Sequence, residues 1–100
     1  MLSYLLLSKN PLITGTVPTE VGLLTELRRF DIDGTGLTGS IPSEVCALHG
    51  FGIAVLEKLK ADCQPLANGE IPMFCPKDCC TKCCDKETGV CADPVFYRMM

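Results

Sequence analysis

Short aliphatic alternations punctuate this chain. Leu5-Leu6-Leu7, Phe30-Asp31-Ile32 and Leu59-Lys60-Ala61 each send the first and third side chains one way and the second the other. That is the period of a β-strand. Three residues after each run stands a polar residue, Asn10, Thr35 or Gln64, and two further on a leucine, Leu12, Leu37 or Leu66. The pattern predicts three short strands, each leaving through a turn.

The units between the strands repeat. Thr14-Gly15-Thr16-Val17-Pro18-Thr19-Glu20-Val21 returns 24 residues later as Thr38-Gly39-Ser40-Ile41-Pro42-Ser43-Glu44-Val45, and Leu24 and Leu48 keep that spacing. Upstream, Leu5, Leu7, Asn10 and Leu12 match Phe30, Ile32, Thr35 and Leu37 at 25, so the first unit holds one extra residue near Ile13. A third copy, Gln64-Pro65-Leu66-Ala67-Asn68-Gly69-Glu70-Ile71-Pro72, lies over Asn10 to Pro18 without a gap. It has a longer lead-in from Leu48 and a strand at Leu56-x-x-Leu59-x-Ala61. Equivalent coils of this kind stack their strands into a parallel ladder around one shared aliphatic row. Asn10 turns its amide onto backbone groups where the chain leaves the strand. Gly15, Gly39 and Gly69 permit a conformation or a close approach that a Cβ hinders. Pro18, Pro42 and Pro72 begin short helical turns, with Glu20 and Glu44 near the positive ends of the first two.

Read as L-x-x-L-x-L-x-x-N-x-L-x-G-x-I-P followed by x-x-[VL]-[GC]-x-L, the pattern resembles the plant-type leucine-rich repeat. The match is close over Leu2 to about Leu48 and loose over Leu56 to Pro72. Thr35 and Gln64 stand where the family has asparagine, and Asn68 where it has threonine. The resemblance implies an α/β solenoid with short parallel strands on a concave face and irregular or 3-10 structure on the convex side. It also implies recognition of other molecules by a secreted or receptor-like protein, without catalysis.

Eight cysteines, Cys46, Cys63, Cys75, Cys79, Cys80, Cys83, Cys84 and Cys91, change the picture at the C-terminal end. Residues 73–100 hold few aliphatics, and the last coil of a solenoid needs a cap. Disulfides supply what a thin core does not. Adjacent cysteines such as Cys79 and Cys80 do not bond each other readily, so each is expected to reach elsewhere, with at least one bond back to Cys63. Among the remaining pairings the sequence does not choose. Leu-x-Ala-Asp-Cys at 59–63 followed by Cys-Cys-Thr-Lys-Cys-Cys at 79–84 resembles the C-terminal closure of secreted leucine-rich repeat proteins of diatoms and related algae. The chain is thus expected to divide into repeats at 1–72 and a cysteine-rich cap at 73–100. The rival use of these thiols is a zinc site at Cys75, Cys80, Cys83 and Cys91. The repeat context favours disulfides and an extracellular or cell-surface location. Met1 to Leu7 lacks the basic lead and length of a signal peptide, and the repeat is already running at Leu2, so further repeats are expected upstream.

Other chemistry is sparse. A net charge of -3 without a basic stripe excludes a nucleic-acid partner, and no apolar run approaches the roughly 20 residues of a membrane span. His49 reads as a solvated loop residue without a neighbouring nucleophile. Asp31 and Asp33 read as solvated strand positions, since no third acidic ligand follows at loop spacing. The glycines belong to the repeat and form no phosphate loop. No catalytic set, metal or cofactor is expected.

What remains is the outward side of the strands. Stacking sets Tyr4, Arg29 and Lys58 in one row, Leu6, Asp31 and Lys60 in a second, and Ser8, Asp33 and Asp62 in a third. Strands about 4.8 Å apart make row members neighbours. Asp31 beside Lys60 is a favourable pair; Arg29 beside Lys58 repels unless an anion or acidic partner sits there. Tyr4, Arg29, Asp31, Lys58 and Lys60 are the candidate binding residues, and the candidate ligand is a protein or peptide, with a glycan as the other option.

Overall fold

The computed structural model describes residues 2–49 and 56–94. The lead-in from Leu48 to Leu56 expected for the third unit falls largely outside them. Three strands, β1 (Tyr4–Leu6), β3 (Arg29–Asp31) and β6 (Lys58–Ala61), lie side by side and parallel. Their register sets Tyr4, Arg29 and Lys58 abreast, then Leu5, Phe30 and Leu59, then Leu6, Asp31 and Lys60. These are the rows expected from the sequence. Alternation then aims Phe30, Ile32, Leu59 and Ala61 inward, and all four are buried.

Each coil closes behind its strand by the same local devices. The Asn10 amide donates to the Leu7 and Ser8 carbonyls. One coil later the Thr35 hydroxyl donates to the Ile32 carbonyl, again three residues back, and accepts from the Leu37 amide. Short ladder segments follow: β2 (Thr14–Gly15) pairs with β4 (Gly36–Leu37), and β5 (Gly39–Ser40) with β7 (Met73–Phe74). Gly15 and Gly39 sit at φ of 96° and 88°, where a side chain is strained. Pro18 and Pro42 then start a 3-10 turn over Thr19–Leu23 and a single α-turn, α1 (Ser43–Cys46). These turns pack closely because Gly22 has no Cβ; one there would meet the Glu44 carbonyl at 2.8 Å.

The third coil departs from the sequence alignment. Ile71, the expected counterpart of Val17 and Ile41, is 47% exposed, whereas Met73 is fully buried. The turn also comes late. The Cys79 amide bonds the Pro76 carbonyl, as Val21 bonds Pro18 and Val45 bonds Pro42. Cys75-Pro76 therefore does the work expected of Ile71-Pro72, four residues on. The physical reason is fit: Ile71 follows a turn bonded Leu66 to Glu70, and the chain re-enters the core only as β7 joins β5.

The cysteine-rich segment extends the same sheet. β8 (Lys82–Cys84) joins β6 in parallel, with Lys82 beside Lys60 and Cys83 beside Ala61. β9 (Cys91–Ala92) returns antiparallel and ends the order β1-β3-β6-β8-β9. All eight cysteines are paired: Cys46–Cys79, Cys63–Cys83, Cys75–Cys80 and Cys84–Cys91. Cys79 and Cys83 lie in the core where earlier coils place Val45 and Ala61, so these sulfurs are packing as well as crosslinks.

Met73 and Ile71 therefore differ sharply in what they contribute to the core. Met73→Ala should destabilise the protein by about 2–5 kcal/mol, while Ile71→Ala should change it by no more than about 0.5 kcal/mol. Chemical denaturation of both variants with disulfides intact checks it.

Candidate functional site

The outward face of the ladder divides into an open part and a sealed part. Tyr4 and Leu6 are 60% and 54% exposed. With Arg28, Arg29, Glu57 and Lys58 they line a groove of about 310 Å³ at the N-terminal ends of the strands. β1 supplies the apolar wall and β3 and β6 the charges, because successive coils deliver different residues to the same strand position. Arg28 and Glu57 form the rim and an ion pair at 3.3 Å.

Four of the five candidate residues meet here or beside the groove, but the fifth does a different task. Asp31 is 3% exposed, not solvated as its strand position suggested. It accepts from the Arg29 Nε at 2.8 Å, within its own strand, and not from Lys60 across the ladder. Its other oxygen, Oδ1, is buried without a hydrogen-bond partner. Asp31 therefore fixes the Arg29 side chain and answers the repulsion expected between Arg29 and Lys58. Lys58 is exposed and Lys60 half-buried. Neither side chain has an ion-pair or hydrogen-bond partner among the described residues.

Toward the C-terminal ends of the strands the face is sealed. Asp33 and Asp62 are buried, again against the solvated reading of Asp33. Ser8 donates to Asp33 at 2.6 Å, and the Gly34 amide donates to both oxygens of Asp62 at 2.9 and 3.0 Å. Burial, with the charge of Asp33 adding to it, pushes the Asp62 carboxyl above its ordinary 3.8, against the Gly34 amide that favours the charged form.

His49 is not a free loop residue: its Nδ1 lies 3.0 Å from the Leu56 carbonyl and its Nε2 contacts the Cys79 carbonyl, so the ring ties the second coil to the third and to the cap. Cys80 and Cys83 belong to different disulfides, and no thiol is free for a four-thiolate site. Asp33 lies close to the sulfurs of Cys84 and Cys91, but these are bonded to each other. Among the described residues, no helix is long and apolar enough to cross a membrane. Sequence reasoning missed Arg28 and Glu57, which share the position before each strand, and Lys82. Lys82-Cys83-Cys84 alternates as Lys60-Ala61-Asp62 does, which is the signal for it, masked there by the cysteines.

A family model described as Leucine Rich Repeat matches residues 26–48. That match covers the second coil, with β3, Thr35, Gly39 and α1, and supports a leucine-rich repeat there. No curated protein and no solved structure matches the chain.

The Asp62 environment predicts a pH effect. A carboxyl raised on folding contributes stability that is fully present below its unfolded value and is lost as pH rises through the folded value. Asp62→Asn keeps an acceptor for Gly34 and removes the buried charge. The variant should be more stable than the parent at pH 7, and the difference should vanish below about 3.8. Urea midpoints across pH 3 to 7 measure it; a constant difference contradicts it.

Proposed function

We propose that this chain is a non-catalytic recognition module that binds a protein or peptide, with a glycan as the other ligand class, on the open part of its sheet. The observation that carries this reading is the groove itself. An exposed tyrosine and leucine stand beside an arginine already held in place by Asp31 and a lysine with no partner among the described residues. Aromatic and arginine side chains held close together are the usual anchors of a protein contact, and an arginine already oriented loses less freedom on binding. Tyr4, Arg29, Lys58 and Lys60 contact the ligand in this reading, and Asp31 acts through Arg29. The four disulfides are compatible with an extracellular location, which suits a secreted or receptor-like protein of plant type.

In the same reading, residues 1–72 are solenoid repeats and 73–100 their cap, whose first residues complete the third coil. A second reading, that the segment only terminates an array, draws on β9. That strand is two residues long, antiparallel, and followed by Asp93 and Pro94, features that blunt a sheet edge.

Selection of a random peptide display library on the immobilised protein separates the two. Recognition predicts peptides whose affinity falls at least about tenfold on Tyr4→Ala/Arg29→Gln, equivalent to about 1.4 kcal/mol, with the thermal midpoint of the variant confirming its fold. Peptides that bind parent and variant equally, or no enrichment at all, favour the terminating role.

A further inference from the structure

The charge left over on the open face has one sign, although the whole chain is at -3. Both acids of the open part are paired with arginines. Asp31 is buried against Arg29 and Glu57 at the rim pairs with Arg28, while Asp33 and Asp62 are buried in the sealed part of the sheet. Lys58 and Lys60 lack partners among the described residues, and they sit two apart on β6, so their side chains leave the same face about 6.6 Å apart. Lys82 continues the Lys60 row on the next strand, its ammonium held by Asp93 at 2.7 Å. Two strand spacings away, roughly 10 Å, Tyr4 and Leu6 offer exposed apolar surface.

From this we propose, building on the recognition reading, that the ligand of this face is an acidic peptide segment. One of its carboxylates is held by Lys58 and Lys60, and an apolar side chain rests on Tyr4 and Leu6. Like charges adjacent on a strand are held at a cost that an anion between them removes. Acid side chains recurring every second residue of an extended peptide match the spacing of the two lysines. A basic segment meets the unpaired ammonium groups and is repelled. A neutral apolar segment leaves them stranded beside a desolvated contact.

Three fluorescein-labelled decapeptides of alternating leucine with glutamate, glutamine or lysine are the probes, read by fluorescence anisotropy against the whole protein. The glutamate peptide should bind at least about tenfold more tightly than the glutamine peptide, with affinity falling as salt is raised. Lys58→Gln/Lys60→Gln should abolish that preference and flatten the salt dependence without moving the thermal midpoint. Equal or tighter binding of the glutamine or lysine peptide overturns the acidic preference. So does failure of the glutamate peptide to bind. If library-selected peptides of neutral composition still depend on Tyr4 and Arg29, recognition stands and only the acidic ligand class falls.

Discussion

The parallel pairing of β1, β3, β6 and β8 at fixed register is the constraint on which the rest depends. Strand alternation means that a slip of one residue exchanges the two faces. At the observed register Phe30, Ile32, Leu59, Ala61 and Cys83 form one buried ridge, while Tyr4, Arg29, Lys58 and Lys60 line the outward side. Core and candidate site are therefore two consequences of a single alignment. Burial of the ridge supplies the favourable free energy, in proportion to apolar area removed from water. The hydrogen-bonded turns at Asn10 and Thr35 hold each coil to the length that keeps the next strand in phase.

The second coil shows what full packing of this kind looks like, with Leu27, Phe30, Ile32, Leu37, Ile41, Val45 and Leu48 all buried. Among their first-coil counterparts Val17 is buried, but Leu5, Leu7, Val21 and Leu24 are only partly covered, because among the described residues β1 is the edge of the sheet. Leu12, matched to Leu37 by sequence, is 93% exposed, and Ile13 packs against the core instead. At the other end cysteines replace aliphatics. A disulfide both fills a core position and shortens the open chain in the unfolded state, an effect of about 2–4 kcal/mol for a typical bond. Cys46–Cys79 locks α1 to the third turn and Cys63–Cys83 locks β6 to β8. The crosslinks thus follow the ladder and the stacked turns.

Repetition made the first two coils legible. Two blocks at a fixed spacing fix strand and turn positions together, and the strand rows they imply are the rows observed. The exception is Leu12, which points to solvent while its neighbour Ile13 packs inward. The third coil was harder because Gly69-Glu70-Ile71-Pro72 copies the motif while the packing uses Met73 and Cys75-Pro76; a local likeness lost to the demand for a side chain that reaches the core. The sheet strand in Lys82-Cys83-Cys84 was hidden because cysteines there suggested only crosslinks. For the candidate site, the sequence placed the residues but not their states. Burial of Asp31 and Asp33, and the carbonyl contacts of His49, depend on groups from other coils that no local pattern announces.

The coil register runs unbroken from β1 into the cysteine-rich segment. Disulfide mapping of the native protein by mass spectrometry after partial reduction tests it most directly. The expected bonds are Cys46–Cys79, Cys63–Cys83, Cys75–Cys80 and Cys84–Cys91, with no free thiol. Cys63 joined to any cysteine other than Cys83 would contradict the pairing of β6 with β8, and with it the continuity of the ladder.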